Sequence, residues 1–132
     1  MGFVETYKEV IGLHNTPQDV ERLLAEFRDC RQLLSALGSE TRQYLLCVLL
    51  DGPCGGSRVI ELAERTHLSR PSISHHMQIL KEAGIVRSRK EGTCIYYYLE
   101  LQDREIEKML RLFSHIRRMT SNAPDRRGDD QL

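Results

Sequence analysis

The most informative alternation of apolar and polar positions lies in residues 68–84. Ile73, Met77 and Leu80 recur at helical spacing, which predicts a buried stripe with the intervening polar side chains on the other side. Ser69 is a favourable N-cap, and Gly84 suits the position just beyond a helix C-terminus. The segment is therefore predicted to be a helix with one core face and one face rich in hydrogen-bonding groups.

The flanking segments place this helix in a larger motif. Residues 59–68 carry apolar positions at helical spacing and precede it by a short turn. Residues 85–89 and 93–99 are β-prone, and residues 90–92 between them end in a glycine. A helix, turn and helix followed at once by a basic hairpin favours DNA binding, because the hairpin tip can reach phosphates beside a helix in the groove.

The rest of the chain divides by the same patterns. Residues 1–16 are predicted to be an N-terminal arm that can form a short amphipathic helix, and Thr16 and Pro17 are suited to begin the next helix, which continues to about Leu37. A separate, nearly all-apolar helix follows up to the Gly52-Pro53 stop, with Cys47 expected in the core. The last helix covers about residues 102–119, and residues 120–132 are predicted to be a disordered polar tail.

These segments are similar in order and spacing to the ArsR/SmtB-type winged-helix repressors, from residue 31 to residue 116. The similar segments are Leu33 to Leu46, Glu61 to Glu64, Leu68-Ser69, Ser74 to Met77, Leu80 to Val86, and Gly92 followed by Tyr96-Tyr97. The resemblance implies a mainly α winged helix-turn-helix of order α-α-α-α-β-β-α in residues 17–119. It further implies a homodimer formed through the first and last helices, which binds a double-stranded DNA operator until an effector releases it.

Composition and charge are consistent with a DNA-binding protein of one domain. The 132 residues, 40% apolar and 29% charged, suit one globular domain, and the absence of a long apolar run or signal core predicts a cytoplasmic protein with no membrane contact. The net charge is zero, but residues 58–98 hold seven basic and four acidic residues, whereas residues 1–57 hold five and eight. The basic middle segment can attract DNA phosphates.

The predicted DNA contacts come from the polar helix face and the hairpin. Arg70, Ser72 and His75 are predicted to read bases, with Arg70 able to make a bidentate contact to guanine. Ser74 and Gln78 are further candidates on this face, Ser74 near a phosphate, and His76 is either a contact or partly packed beside Met77. The hairpin residues predicted to follow the DNA backbone are Arg87, Arg89 and Lys90.

The residues that would sense an effector are less well matched to the family. The soft thiolates of its Cys-x-Cys site fall on Arg58 and Ile60 here, so that site is absent. Asp103, Glu105 and His115 are the zinc candidates on the last helix, where ordinary surface residues are the alternative. No cofactor is required by any motif, and zinc or another metal stays a candidate. Cys54 and Cys30 are candidates for a thiol switch, with ordinary structural thiols as the alternative.

Two other functional classes are weighed against DNA binding. A winged helix can become a protein-interaction module that does not read DNA, and a regulator of this type can respond to thiol oxidation instead of to a metal. An enzyme is not expected, because the sequence has no phosphate-binding loop, nucleophile elbow or H-E-x-x-H motif.

Overall fold

The computed structural model describes residues 15–128. Within that range the chain forms helices joined to one antiparallel hairpin, which confirms the predicted mainly α winged helix-turn-helix. The elements are α1 (Pro17–Asp29), α2 (Arg31–Leu37), α3 (Glu40–Asp51), α4 (Val59–Thr66), α5 (Arg70–Glu82), β1 (Val86–Glu91), β2 (Cys94–Leu99) and α6 (Asp103–Asn122).

The contacts divide the chain into two units. One unit, residues 31–106, contains α2 to α5, the hairpin and the first residues of α6. The other unit, whose described residues are 15–30 and 107–128, contains α1 and the remainder of α6. The buried side chains among these described residues are Val20, Leu23, Cys30, Leu112 and Met119.

The core of the unit 31–106 is built on the predicted stripe of α5. Ile73, Met77 and Leu80 have no exposed surface, and neither do Leu45 of α3 and Leu62 of α4. Burial of such large aliphatic side chains contributes roughly 1.5–3 kcal/mol each. The polar side of α5 is therefore held outward by a firmly packed opposite side.

The hairpin is joined to the loop before α4 by an isolated β-bridge between Ser57 and Tyr97. Ser57 and Tyr97 exchange two backbone hydrogen bonds, of 2.8 and 2.9 Å. Gly56 has φ of 102°, and a Cβ atom there would lie 2.6 Å from the Tyr97 carbonyl oxygen. Only glycine fits that conformation and that close approach.

The turn of the hairpin lies later than predicted. Lys90 and Glu91 belong to β1, with Lys90 opposite Ile95 and Glu91 opposite Cys94. Gly92, at φ of 63°, turns the chain together with Thr93. Both predicted turn residues before Gly92 can extend the strand because Gly92 alone supplies the positive φ that the tight turn requires.

The prediction of one helix from Pro17 to about Leu37 is wrong. The backbone leaves the helical region at Cys30 (φ −94°, ψ 1°), and a new helix starts at the next residue. After this break Leu33 and Ala36 are buried, whereas Leu34 and Leu37, which would continue the earlier stripe, are only half-buried. The break therefore shifts which residues face the core, and neither proline nor glycine marks it in the sequence.

The prediction that Cys47 lies in the core is also wrong. Helix α3 buries Leu45, Val48 and Leu49, while Tyr44, Cys47 and Leu50 are exposed. A run that is apolar on every side does not reveal which of its faces is buried.

The ends of two other helices differ from prediction. Helix α4 stops at Thr66 because His67 adopts the left-handed conformation, at φ of 62°. Helix α6 extends to Asn122, so three residues assigned to the tail are helical. Residues 1–14 of the predicted arm, which was assigned to residues 1–16, and residues 129–132 of the predicted tail lie outside the described residues. None of the helices in residues 15–128 is both long and apolar enough to cross a membrane.

Candidate nucleic-acid interface

The start of α5 is fixed by its N-cap as predicted. The Ser69 hydroxyl oxygen accepts a hydrogen bond from the Ser72 amide at 3.2 Å, which satisfies one of the free donors of the first turn. Pro71 lies in that first turn, where its missing amide hydrogen costs nothing. Arg70, the first helical residue, is exposed. The cap therefore determines where the Arg70 side chain leaves the helix.

The outward face of α5 holds most of the predicted base-reading side chains. Arg70, Ser74, His75 and Gln78 are exposed, and Ser72 is half-buried. Gln78 donates a hydrogen bond to Glu82 at 3.0 Å. Arg70 and Ser74 make no side-chain hydrogen bond or ion pair with any residue from 15 to 128. Their donors are thus available to a ligand without breaking a contact within that range.

His76 differs from its neighbours on α5. It is half-buried, and its Nδ1 lies 3.3 Å from the Nη1 of Arg42 on α3. Its ring is also in contact with that of His75, with 5.8 Å between the centroids. Burial, the positive charge of Arg42 and the proximity of His75 lower the pKa of His76 below the ordinary histidine value. Of the two predicted roles for His76, packing is the one that these contacts favour.

In the hairpin, the two predicted arginines already have partners. Arg87 forms an ion pair with Glu100 at 2.8 Å. Arg89 pairs with Glu91 at 2.6 Å, donates from Nε to the Gly55 carbonyl oxygen at 3.0 Å, and stacks 4.5 Å above the Tyr96 ring. Such exposed pairs each contribute no more than about 1 kcal/mol, so DNA phosphates can compete for these arginines.

Lys90 is the exception in the hairpin. It is exposed on β1 beside the turn, and it makes no hydrogen bond or ion pair within the described part of the chain. Its ammonium group is therefore the hairpin cation most readily available to a phosphate.

A second contact supports the hairpin from α4. Arg58 donates from Nη1 to the Cys94 sulfur at 3.7 Å, and its backbone amide donates to Glu61 Oε1 at 2.8 Å. This amide hydrogen bond is the main cause that lowers the pKa of Glu61. The start of α4 and the start of β2 are thereby joined through a single arginine.

Two of the zinc candidates, His115 and Glu105, contact other side chains within the described residues. His115 Nδ1 lies 2.6 Å from Glu26 Oε1 and is thus engaged with a carboxylate of α1. Asp103 and Glu105 belong to the unit 31–106, and Glu105 pairs with Arg104 at 3.7 Å. Across residues 15–128 no three histidine, cysteine or acidic side chains lie close enough to hold a metal ion.

The two thiol candidates differ in exposure. Cys30 is 1% exposed at the end of α1, whereas Cys54 is exposed in the loop before α4. Cys30 and Cys54 lie in different units, and a thiol switch formed by the two stays a prediction.

Three residues of this region were missed by the sequence analysis. Arg42 and Tyr96 were included only as members of the family-like segments, and Arg58 only as the residue at a position where the family has a cysteine ligand. Each acts through a partner distant in sequence. The register of the hairpin, which places Arg89 opposite Tyr96, is the one signal that could have revealed such a contact in advance.

Comparison with known proteins assigns the family. The profile described as "Bacterial regulatory protein, arsR family" matches residues 39–88. An uncharacterized HTH-type transcriptional regulator of Methanocaldococcus jannaschii is 31% identical over 70% of this chain and 100% of its own length. The chain belongs to the ArsR family. The predicted family is therefore confirmed, and with it the prediction that the protein is a DNA-binding transcriptional regulator and not an enzyme.

Two further relatives of this ArsR-family regulator carry functional names. The transcriptional activator HlyU of Vibrio cholerae is 30% identical over 79% of this chain and 92% of its own. The reduced HlyU structure has a TM-score of 0.52 at 33% identity and covers 73% of this chain and 97% of its own. The transcriptional repressor SdpR of Bacillus subtilis is 36% identical over 54% of this chain and 79% of its own. Regulators of the family bind DNA and are commonly dimers.

Proposed function

We propose that this ArsR-family regulator represses transcription by placing α5 in the major groove of a specific DNA operator. The observation that carries the proposal is the contrast between the two sides of α5. Its apolar residues have no exposed surface, while Arg70 and Ser74 project outward without a partner among residues 15–128. A rigid helix with uncommitted donors is the arrangement that reading of base edges requires.

Arg70, Ser72 and His75 are proposed to contact bases. The planar guanidinium of Arg70 can donate two parallel hydrogen bonds to O6 and N7 of guanine. Ser72 and His75 can each donate or accept, so their base preference is broader. Ser74 and Gln78 are proposed to make supporting contacts, with Ser74 toward a phosphate and Gln78 after release from Glu82.

The hairpin is proposed to contribute phosphate contacts. Lys90 supplies its charge directly, because it has no partner to give up within the described range. Arg87 and Arg89 would contact phosphates only by exchanging Glu100 and Glu91 for them. Arg89 also holds the hairpin to the loop through Gly55.

A homodimer is proposed to present two copies of α5. On α6, Ile106, Leu110 and Phe113 share one face and are 37%, 61% and 55% exposed, and Phe27 of α1 is 38% exposed. Apolar surface of this kind is costly to leave in water. A second copy of the chain is the proposed partner, since dimers are common in the family and two-fold pairing matches the symmetry of operators.

The effector that releases the DNA is not identified by these features. A thiol switch at Cys54 and Cys30 stays a proposal, supported by the exposure of Cys54. A zinc site at Asp103, Glu105 and His115 also stays a proposal, with the Glu26 contact of His115 against it.

Selection of binding sites from a random duplex DNA library by the purified protein tests the proposed function. We expect enrichment of an inverted repeat with half-site centres about one helical turn apart, and a dimeric mass in light scattering. Recovery of no preferred sequence would contradict base reading by α5. Repeating the binding to the enriched duplex with zinc, with peroxide and with a reductant tests the two effector proposals, and unchanged binding throughout would contradict both.

A further inference from the structure

The guanidinium of Arg42 is held in place by the end of α2. Its Nε donates to the Ala36 carbonyl oxygen at 2.7 Å and its Nη2 to the Ser35 carbonyl oxygen at 3.1 Å. The last carbonyls of a helix have no partner within the helix, so Arg42 satisfies two of them. Because the guanidinium is planar, two anchored nitrogens also fix the direction in which Nη1 points.

Nη1 of Arg42 points to His76 of α5, 34 residues away in the sequence, with 3.3 Å between Nη1 and Nδ1. An arginine donates hydrogen bonds and accepts none. Nδ1 must therefore be the acceptor, and the ring is neutral with its proton on Nε2. The contact thus specifies both the tautomer and the orientation of this side chain.

His76 lies at the border between the buried and the exposed side of α5. Met77, the next residue, has no exposed surface, and His75, the preceding residue, is exposed with its ring in contact with that of His76. A bond at this border restrains rotation of α5 about its own axis. It also restrains the ring that packs against His75.

We propose that the contact between Arg42 and His76 sets the rotational position of the recognition helix, with His76 acting as a positioning residue and not as a base-contacting one. This inference rests on the proposed function, since it concerns how α5 is aimed at bases. Tight operator binding then requires an acceptor at the position of Nδ1, and it does not require the donor at Nε2.

The charged groups that interact with the His76 ring are Arg42 from α3 and His75 from its own helix. Protonation would leave Nδ1 without a lone pair and place a second positive charge beside Arg42. The contact is thus present while His76 is neutral and is lost as the pH falls through its lowered pKa, which lies below the usual 6.5. Operator affinity is expected to weaken in acid for this reason.

Two substitutions distinguish the nitrogens of His76. The amide oxygen of His76→Asn can replace the Nδ1 acceptor, whereas the longer His76→Gln extends its amide to the position of Nε2. His76→Leu supplies neither. Each variant is titrated by fluorescence anisotropy against the duplex selected by the wild type and against a scrambled duplex, at pH 7.5 and at pH 5.5.

We expect His76→Gln and His76→Leu to lose about tenfold in affinity for the selected duplex, the worth of one hydrogen bond to a charged donor, with the scrambled duplex unaffected. His76→Asn should remain within about twofold of the wild type at pH 7.5, and its affinity should decrease less than that of the wild type as the pH is lowered. Thermal unfolding of each variant shows whether it is folded, and if His76→Leu unfolds, the comparison of Asn with Gln decides.

Two outcomes would overturn the inference. Retained affinity in His76→Gln with loss in His76→Asn would make His76 a base contact through Nε2, and equal affinity in all three variants would remove any role in positioning. A wild-type protein that does not distinguish the selected from the scrambled duplex would instead contradict the proposed function, before any variant is measured.

Discussion

The outward face of α5 and the hairpin both carry polar and basic side chains, yet their availability differs. On α5, Arg70 and Ser74 have no partner among residues 15–128. On the hairpin, Arg87 pairs with Glu100, and Arg89 is held by Glu91, Gly55 and Tyr96. By its number of basic residues, the hairpin would be expected to offer more free side chains to DNA than α5 does. The contacts show the opposite, because the hairpin arginines already have partners.

Secondary structure explains the difference. A helix satisfies its backbone internally and directs its outward side chains into solvent. A strand has a neighbour at the same level, so its side chains meet cross-strand partners, as Arg89 meets Tyr96. In this molecule the helix is thus suited to recognition and the hairpin arginines are suited first to holding the hairpin in place.

The largest expected effect follows from Arg70. Arg70→Ala should reduce affinity for the selected duplex about 10- to 100-fold, because a bidentate base contact is worth roughly 1–3 kcal/mol. The scrambled duplex should bind almost as before. Arg70→Lys is the matched control: it keeps the charge but not the planar fork, so discrimination should fall while non-specific binding persists. Equal losses on both duplexes would reassign Arg70 to a phosphate contact.

Gly56→Ala should cause the next largest effect, on stability. The added Cβ would lie 2.6 Å from the Tyr97 carbonyl oxygen, at a φ of 102°, and strain of this kind costs about 1–3 kcal/mol. Thermal unfolding should show a midpoint several degrees lower. Gly55→Ala is the control, because its φ is not in the positive region and the nearest atom is the end of the Arg89 side chain at 3.2 Å. An equal shift in both variants would contradict the argument from Gly56.

The hairpin side of the comparison is tested by Lys90. Lys90→Ala should weaken binding to every duplex by a few-fold. The slope of the logarithm of the binding constant against the logarithm of the salt concentration should become less steep by about 0.9, because one phosphate contact is lost.

The control replaces the ion pair of Arg87 with Glu100 by glutamines at both positions, which leaves the net charge unchanged. Affinity should then change by less than about twofold, because the pair presents no net charge to DNA. A loss as large as that of Lys90→Ala would show that Arg87 leaves Glu100 to bind phosphate.

The smallest expected effect is the pH dependence of the stability contributed by the contact between the Arg58 amide and Glu61. The pKa of Glu61 is lowered because the carboxylate accepts from the Arg58 amide. Its contribution to stability is therefore complete above the ordinary glutamate pKa and is lost as the pH falls through the lower value in the folded protein. Thermal unfolding between pH 6 and pH 3 should show a slightly smaller decrease for Glu61→Gln than for the wild type. Identical pH profiles would contradict this role.

Local patterns predicted those parts of the fold that depend on neighbours in sequence. Ser69 caps α5 as expected, and Gly84, at φ of 78°, follows its end. The phase of the α5 stripe was also correct, because it follows from helical spacing alone. The break at Cys30 could not be predicted in this way, since neither proline nor glycine marks it in the sequence.

The sequence predicted which residues the candidate site contains, but not which of them already have hydrogen-bond or ion-pair partners. The sequence showed which side chains lie on α5 and the hairpin, and the structure places all of them there. It did not show that His76 meets Arg42, because that pair depends on how two separate helices pack. The pair of Arg87 with Glu100 depends instead on the hairpin register, which places Arg87 opposite Tyr98. The sequence also did not show which face of α3 is exposed. Tyr44 and Leu50 are exposed, but they belong to a run that is apolar on every side, so the pattern does not indicate which side faces the core.

Because Ser57 and Tyr97 exchange two backbone hydrogen bonds, we expect the hairpin to unfold together with the helices that precede it. A hairpin of two strands alone is marginal in water, whereas this one shares its backbone pairing with the segment that leads into α4. Slow amide hydrogen exchange at Tyr97 would therefore report opening of the helical core and not fraying of the hairpin. The hairpin should then stay in register beside α5 for as long as the core is folded, so that the DNA contacts proposed for the two elements belong to one surface.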